Sequence, residues 1–171
     1  MAVKSTSTTT SSLWKIDDDI RLLSTLAGAK TTPLTYYQSG VRNVFFRLEA
    51  VSRIFKRSVD KTVFTEAVKT FKGAEDALGS FDYYSALYEG VSRNKLLPAE
   101  LKEWFKAGRD SGLKDLGNFL REHQWLPLKN ERILQVKDLF HHAEFADTGK
   151  MREGLKEEMI RQLEKSVEGY E

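Results

Sequence analysis

Residues 36–57 read YYQSGVRNVFFRLEAVSRIFKR. Turned into a helix at about 100° per residue, the stretch places Val41, Val44, Phe45, Leu48, Val51 and Phe55 on one face. Arg42, Arg53, Lys56 and Arg57 fall roughly opposite, with Phe46 among them. Glu49 stands four residues before Arg53, a favourable order for a helical ion pair. The apolar face belongs in a core. The guanidinium face is either simply solvated or able to grip an anion through paired hydrogen bonds.

Working outward, the chain has 171 residues, enough for one domain with a core of its own. A composition of 40% hydrophobic and 30% charged residues is that of a globular domain, and no apolar run is long enough to cross a bilayer. The absence of cysteine excludes disulfides, thiolate zinc sites and a cysteine nucleophile, and fits a reducing, cytoplasmic setting. The opening MAVKSTSTTTSS has no apolar segment of the secretory kind. Residues 1–11 read as a disordered polar lead-in and 12–171 as a single helical-bundle domain. A net charge of +2 argues against a bulk nucleic-acid binder. The charge is uneven, however. Residues 35–73 carry eight Lys/Arg against three acids, so positive charge gathers on the second and third helices.

In chain order, a first helix is predicted from about Ser12 to Ala27, capped by Ser11 or Ser12. Its inward line is Ile16, Ile20, Leu23 and Ala27. Asp17, Asp18 and Asp19 suit its positive N-terminal end and point in different directions, as solvated carboxylates would. Gly28 ends it. A second helix covers about Leu34 to Val59 with Gly40 inside it. Asp60 caps a third, whose inward residues are Val63, Phe64, Ala67, Val68, Phe71, Ala74 and Leu78, with Lys61, Lys69 and Lys72 on the other side. Gly79-Ser80 reads as a turn before a fourth, aromatic helix from Phe81 to Ser92. Pro98 suits the first turn of a fifth, from about Ala99 to Gln124. Within it, Gly108 and Gly112 either admit a neighbouring helix closely or break the segment in two. Trp125-Leu126-Pro127 closes it. A sixth helix runs from about Asn130 to Phe145, with Ile133, Leu134, Val136, Leu139 and Phe140 inward. A seventh runs from about Thr148 to Val167, with Leu155, Met159, Leu163 and Val167 inward and balanced Lys/Glu pairs outward. No strand-like alternation is present. The expected fold is all-α, an antiparallel bundle of about six to seven helices.

The chemistry-bearing residues are few. The three histidines are His123, His141 and His142, and Asp138–His141 has the i, i+3 spacing of helical carboxylate–histidine metal ligands. A dinuclear bundle site needs two such pairs and further glutamates, so no metal and no cofactor are expected. No phosphate-binding glycine loop, nucleophile elbow or HExxH motif occurs. The chain does not read as an enzyme.

The segment from Gln38 to Phe55 resembles the opening helix of the CHAD family, the conserved histidine α-helical domain, whose helix reads approximately V-H-x-x-R-V-x-x-R-R-L-R before an apolar run. Arg42 aligns with the first arginine, Phe46 and Arg47 with the Arg-Arg pair, and Leu48 with the leucine. Glu49 stands for the next arginine and Ser39 for the histidine. Leu78-Gly79-Ser80-Phe81-Asp82 is similar to the family's L-G-x-x-R-D, with Phe81 in the arginine's place. The resemblance covers about residues 36–90. It implies antiparallel helices whose basic residues line a groove that binds inorganic polyphosphate, and it carries over Arg42, Arg47 and Arg53.

With Lys56, Arg57, Lys69 and Lys72 from the same basic faces, these residues form the expected anion-binding set. The expected function is non-catalytic binding of polyphosphate or a similar polyanion, in the cytoplasm, away from membranes. The alternative is a helical module that docks a protein partner through an aromatic patch such as Phe46, Phe81 and Tyr84. A metal-dependent or hydrolytic enzyme requires further ligands to converge with Asp138 and His141.

Overall fold

The computed structural model describes residues 16–26, 30–126, 130–141 and 148–168. The expected lead-in, the Ser11/Ser12 cap, Ala27, Gly28, Pro127, His142 and Phe145 lie outside the described residues, as does the side chain of Val167. Among the described residues seven α-helices follow in order: α1 Ile16–Leu26, α2 Pro33–Gln38, α3 Val41–Ser58, α4 Lys61–Arg93, α5 Ala99–Glu122, α6 Asn130–His141 and α7 Thr148–Glu168. Among the described residues there is no strand, and the all-α prediction holds.

The α3–α4 hairpin is the centre of the bundle. Val41, Val44, Phe45, Leu48, Val51 and Phe55 are all buried, as their spacing on one helical face requires. Asp60 begins α4 by accepting hydrogen bonds from the Thr62 and Val63 amides at 2.8 and 2.9 Å. This satisfies two of the donors that every helix start leaves unpaired. The two helices run antiparallel: Phe55 of α3 meets Phe64 of α4, Phe45 meets Phe71, and Arg42 reaches Asp82. On the other side of α4, α5 also returns antiparallel, with Phe119 near Gly73 and Tyr84 near Gly108. Trp125, fully buried just beyond α5, stands edge-on to Phe45 at 4.7 Å. Phe140 of α6 stacks on Phe71 at 6.1 Å. Each such aromatic removes a large apolar surface from water, contributing about 1.5–3 kcal/mol.

Two glycine positions differ from expectation, and at a third the structure chooses between two readings. The helix predicted over 34–59 is two helices, because Gly40 adopts φ +76° and redirects the chain. Only glycine takes that left-handed conformation freely. Thr32 caps the short α2 by accepting from the Thr35 amide at 3.1 Å, and Pro33 fills its first turn. At the predicted turn Gly79-Ser80 there is no turn, and α4 runs unbroken for 33 residues. The Arg42 guanidinium lies across the helix there, and a Cβ on residue 79 would sit 2.8 Å from its Nη2. Gly108 and Gly112 do not interrupt α5. They form the flat surface on which the Tyr84 ring lies.

The seventh helix also differs. Leu155 packs against the core, but Met159 and Leu163, expected inward, are exposed, as is Leu134 of α6. The helix meets α3 through Gly154, where a Cβ would lie 3.3 Å from Ile54 O and Ser58 Cβ, and through the buried Glu158. Polar contact and a small residue dock α7 where its apolar spacing predicted a greasy seam. From Asp82 to Asp115, no residue is fully buried: the end of α4 and the start of α5 form an arm projecting from the bundle.

Candidate anion-binding cleft

The last turns of α3, the first turns of α4 and the middle of α7 enclose an open cleft of about 570 Å³. Arg53, Lys56 and Arg57 enter from α3 at i, i+3 and i+4, the spacing that stacks side chains on one helix surface. Cations there also suit the negative C-terminal end of α3. Lys61 and Val68 come from α4, and Glu157, Glu158 and Arg161 from α7. Five cationic side chains against two carboxylates give the lining a formal charge of +3.

Glu158 sits among three guanidinium groups. It accepts from Arg161 Nε at 3.1 Å and from Arg161 Nη2, lies 3.4 Å from Arg57 Nε, and lies 3.9 Å from Arg53 Nη1. The hydrogen bond from Arg161 to this carboxylate raises the arginine's pKa further above its already high value. Arg57 Nη1 donates to Glu157 at 3.1 Å, and Arg53 Nε donates to Glu49 at 2.7 Å. Among the described residues, Lys56 and Lys61 have no ion-pair partner. The arrangement can neutralise a multiply charged anion through forked guanidinium contacts and the two ammonium groups of Lys56 and Lys61.

The other expected anion ligands are placed elsewhere. Arg42 donates from Nε and Nη2 to Glu75 Oε1 at 3.0 and 2.9 Å, and from Nη1 to Asp82 at 2.9 Å. The Tyr37 hydroxyl donates to the other Asp82 oxygen. Burial, and then that hydrogen bond, push the Tyr37 pKa up to about 12. Lys72 joins the same network through Glu75 at 2.9 Å and Asp76 at 2.6 Å, and these contacts hold its pKa above the usual value. Burial alone would raise the Glu75 pKa, but the hydrogen bonds from Lys72 and Arg42 outweigh it and keep the carboxyl below its ordinary range. Arg47 grips the buried Asp19 with two hydrogen bonds, one of 2.9 Å, tying α1 to α3. Asp19 is therefore a structural anchor and not a solvated carboxylate. Lys69 lies on the outer surface of α4, paired with Glu66 at 2.8 Å.

The structure thus brings Arg53, Lys56 and Arg57 together and separates them from Arg42, Arg47, Lys69 and Lys72. Two cationic residues of the cleft, Lys61 and Arg161, are outside the expected set. Lys61 belongs to the basic face that the sequence predicts for this helix beside Lys69 and Lys72, but not to the expected ligand set. Arg161 follows Glu158 at i+3 and reads in sequence like any surface pair. The aromatic patch does not assemble as expected either, because Phe81 is buried edge-on to Tyr37 at 4.8 Å. Among the described residues, no group of three or more His, Asp or Glu side chains converges, Asp138 and His141 included. Among the same residues, no helix is long and apolar enough to cross a membrane.

Fold and site define a class: an all-α bundle with a cationic cleft at one helix junction. Compared with protein-family models, with curated proteins and with solved structures, the chain finds no match.

Proposed function

We propose that this protein is a non-catalytic binder of inorganic polyphosphate or a similar polyanion, and that the α3–α4–α7 cleft is its site. The observation that carries the reading is the pair Lys56 and Lys61, both without a carboxylate partner among the described residues, beside Arg53, Arg57 and Arg161 in one cleft. A solvated face spreads its charges, whereas here five cations from three helices share one concavity. On this reading the chain is a diverged CHAD-like bundle acting in the cytoplasm, and its anion site lies nearer the C-terminal end of α3 than the resemblance implies. Arg42 and Arg47 serve the fold.

The test is binding of labelled long-chain polyphosphate at low and moderate salt, beside a Lys56→Ala/Lys61→Ala variant. Neutralising about three charges makes a fourfold rise in salt weaken binding by about twentyfold. Tight, salt-sensitive binding that the variant loses supports the site. Silence at low salt refutes it.

A second reading has its own observation. On the projecting arm, Tyr83, Trp104 and Leu96 are exposed, Trp104 at 66% and Leu96 at 93%. Exposed aromatics of this kind anchor protein interfaces. A protein-interaction module using the arm would bind its partner with little dependence on salt and lose it on Trp104→Ala.

A further inference from the structure

Two features of the cleft bear on which anion it takes. The first is its limited extent. A polyanion lying along α3 would need Arg42 and Arg47 to continue the track, but Glu75 with Asp82 holds one and Asp19 holds the other. The remaining cations are confined to about 570 Å³, within the ~300–1,000 Å³ of small-ligand pockets. Val68 is the one apolar side chain in the lining and no aromatic ring is among the lining residues, so the cleft offers a nucleobase little beyond what it offers the phosphates.

The second feature is that the arginines already hold anions. Glu157 and Glu158 present their carboxylates to Arg57 and Arg161 from the tethered α7. A tethered group acts at an effective concentration of about millimolar or more. A single free phosphate offers little that these carboxylates do not. A ligand prevails only if it replaces both carboxylates and also engages Lys56 and Lys61, which requires several phosphates close together.

We infer that the unit the cleft recognises is a compact, base-free cluster of several phosphates, bound in exchange for the Glu157 and Glu158 carboxylates. The inference rests on the anion-binding reading above and narrows the recognised unit from a long chain to a few consecutive phosphates.

The experiment is calorimetric titration of the full chain with orthophosphate, tripolyphosphate, adenosine triphosphate and long-chain polyphosphate at one salt concentration. It is repeated with Glu157→Gln, a change at an exposed side chain whose effect on folding is checked by thermal melting. Tripolyphosphate should bind one to one, at least about a hundredfold tighter than orthophosphate, and within about threefold of both the nucleotide and the per-site value for long chains. Removing the competing charge in Glu157→Gln should tighten tripolyphosphate binding by about threefold to tenfold.

A per-site affinity for long chains more than about tenfold above that of tripolyphosphate overturns the compact site and leaves the polyanion reading standing. A nucleotide preference of the same size overturns the base-free site. Orthophosphate binding as well as tripolyphosphate, or an unchanged or weaker Glu157→Gln, overturns the carboxylate exchange. Silence of every ligand overturns the polyanion reading itself.

Discussion

Replacing Arg47 by alanine separates the structural from the ligand-binding arginines. Asp19 is 3% exposed, and Arg47 donates two hydrogen bonds to its carboxylate. Removing one partner of a fully buried ion pair costs about 3–5 kcal/mol, because a charge stays behind without compensation. The Arg47 side chain is itself 43% exposed, so water enters as it leaves, and the expected loss falls to about 2–3 kcal/mol. For a chain of this size that lowers Tm by about 4–12 °C. Urea unfolding of Arg47→Ala, Asp19→Ala and the double variant gives the coupling directly. The double variant should lose less than the sum of the single changes, since no orphaned charge remains. Well below its Tm, Arg47→Ala should still bind polyphosphate within about twofold of the parent, because the cleft is untouched. A coupling below about 0.5 kcal/mol would refute the buried anchor. A collapse of anion affinity in a folded Arg47→Ala would return the residue to the ligand site.

The remaining expectations concern the Arg42 network and the core. The Glu75 pKa is lowered in the folded protein, so its contribution is present above the ordinary carboxylate range and is lost as pH falls through the folded value. Acid unfolding of Glu75→Gln should accordingly show a flatter acid limb than the parent. Tyr37 behaves oppositely. Its pKa rises from 10.0 to about 12, so its contribution is complete below pH 10 and disappears as pH climbs through 12, and Tyr37→Phe should flatten stability across that interval. Trp125→Ala, emptying a fully buried site against Phe45, should cost about 3–5 kcal/mol in urea unfolding. A loss under about 1 kcal/mol would mean that the site collapses freely.

The helices were legible because their signals are local. The apolar face of α3 repeats within 15 residues, and Asp60 caps amides only two and three residues ahead. The misread positions depend on distant partners. Gly79 looks like a turn until Arg42, on another helix, is laid across it. Arg42 and Arg47 look like free cations because Glu75, Asp82 and Asp19 are 33, 40 and 28 residues away in sequence. The cleft was half legible for the same reason. Arg53, Lys56 and Arg57 share one helix face, whereas Arg161 reaches the cleft only once α7 has docked. The apolar spacing of Met159 and Leu163 misled because Gly154 and Glu158, not a hydrophobic seam, set which side of α7 meets α3.

The projecting arm has a thermodynamic consequence. With no fully buried residue between Asp82 and Asp115, separating its two helices exposes little new apolar surface, so the arm is a cooperative unit weaker than the body. The clasp of Arg42 and Tyr37 on Asp82 marks where that unit ends, since beyond it α4 is locked by Phe81 and Leu78. Native-state hydrogen exchange should divide the single helix α4 in two. Amides after Asp82 should exchange through opening of the arm alone, and those before Phe81 only when the whole bundle unfolds.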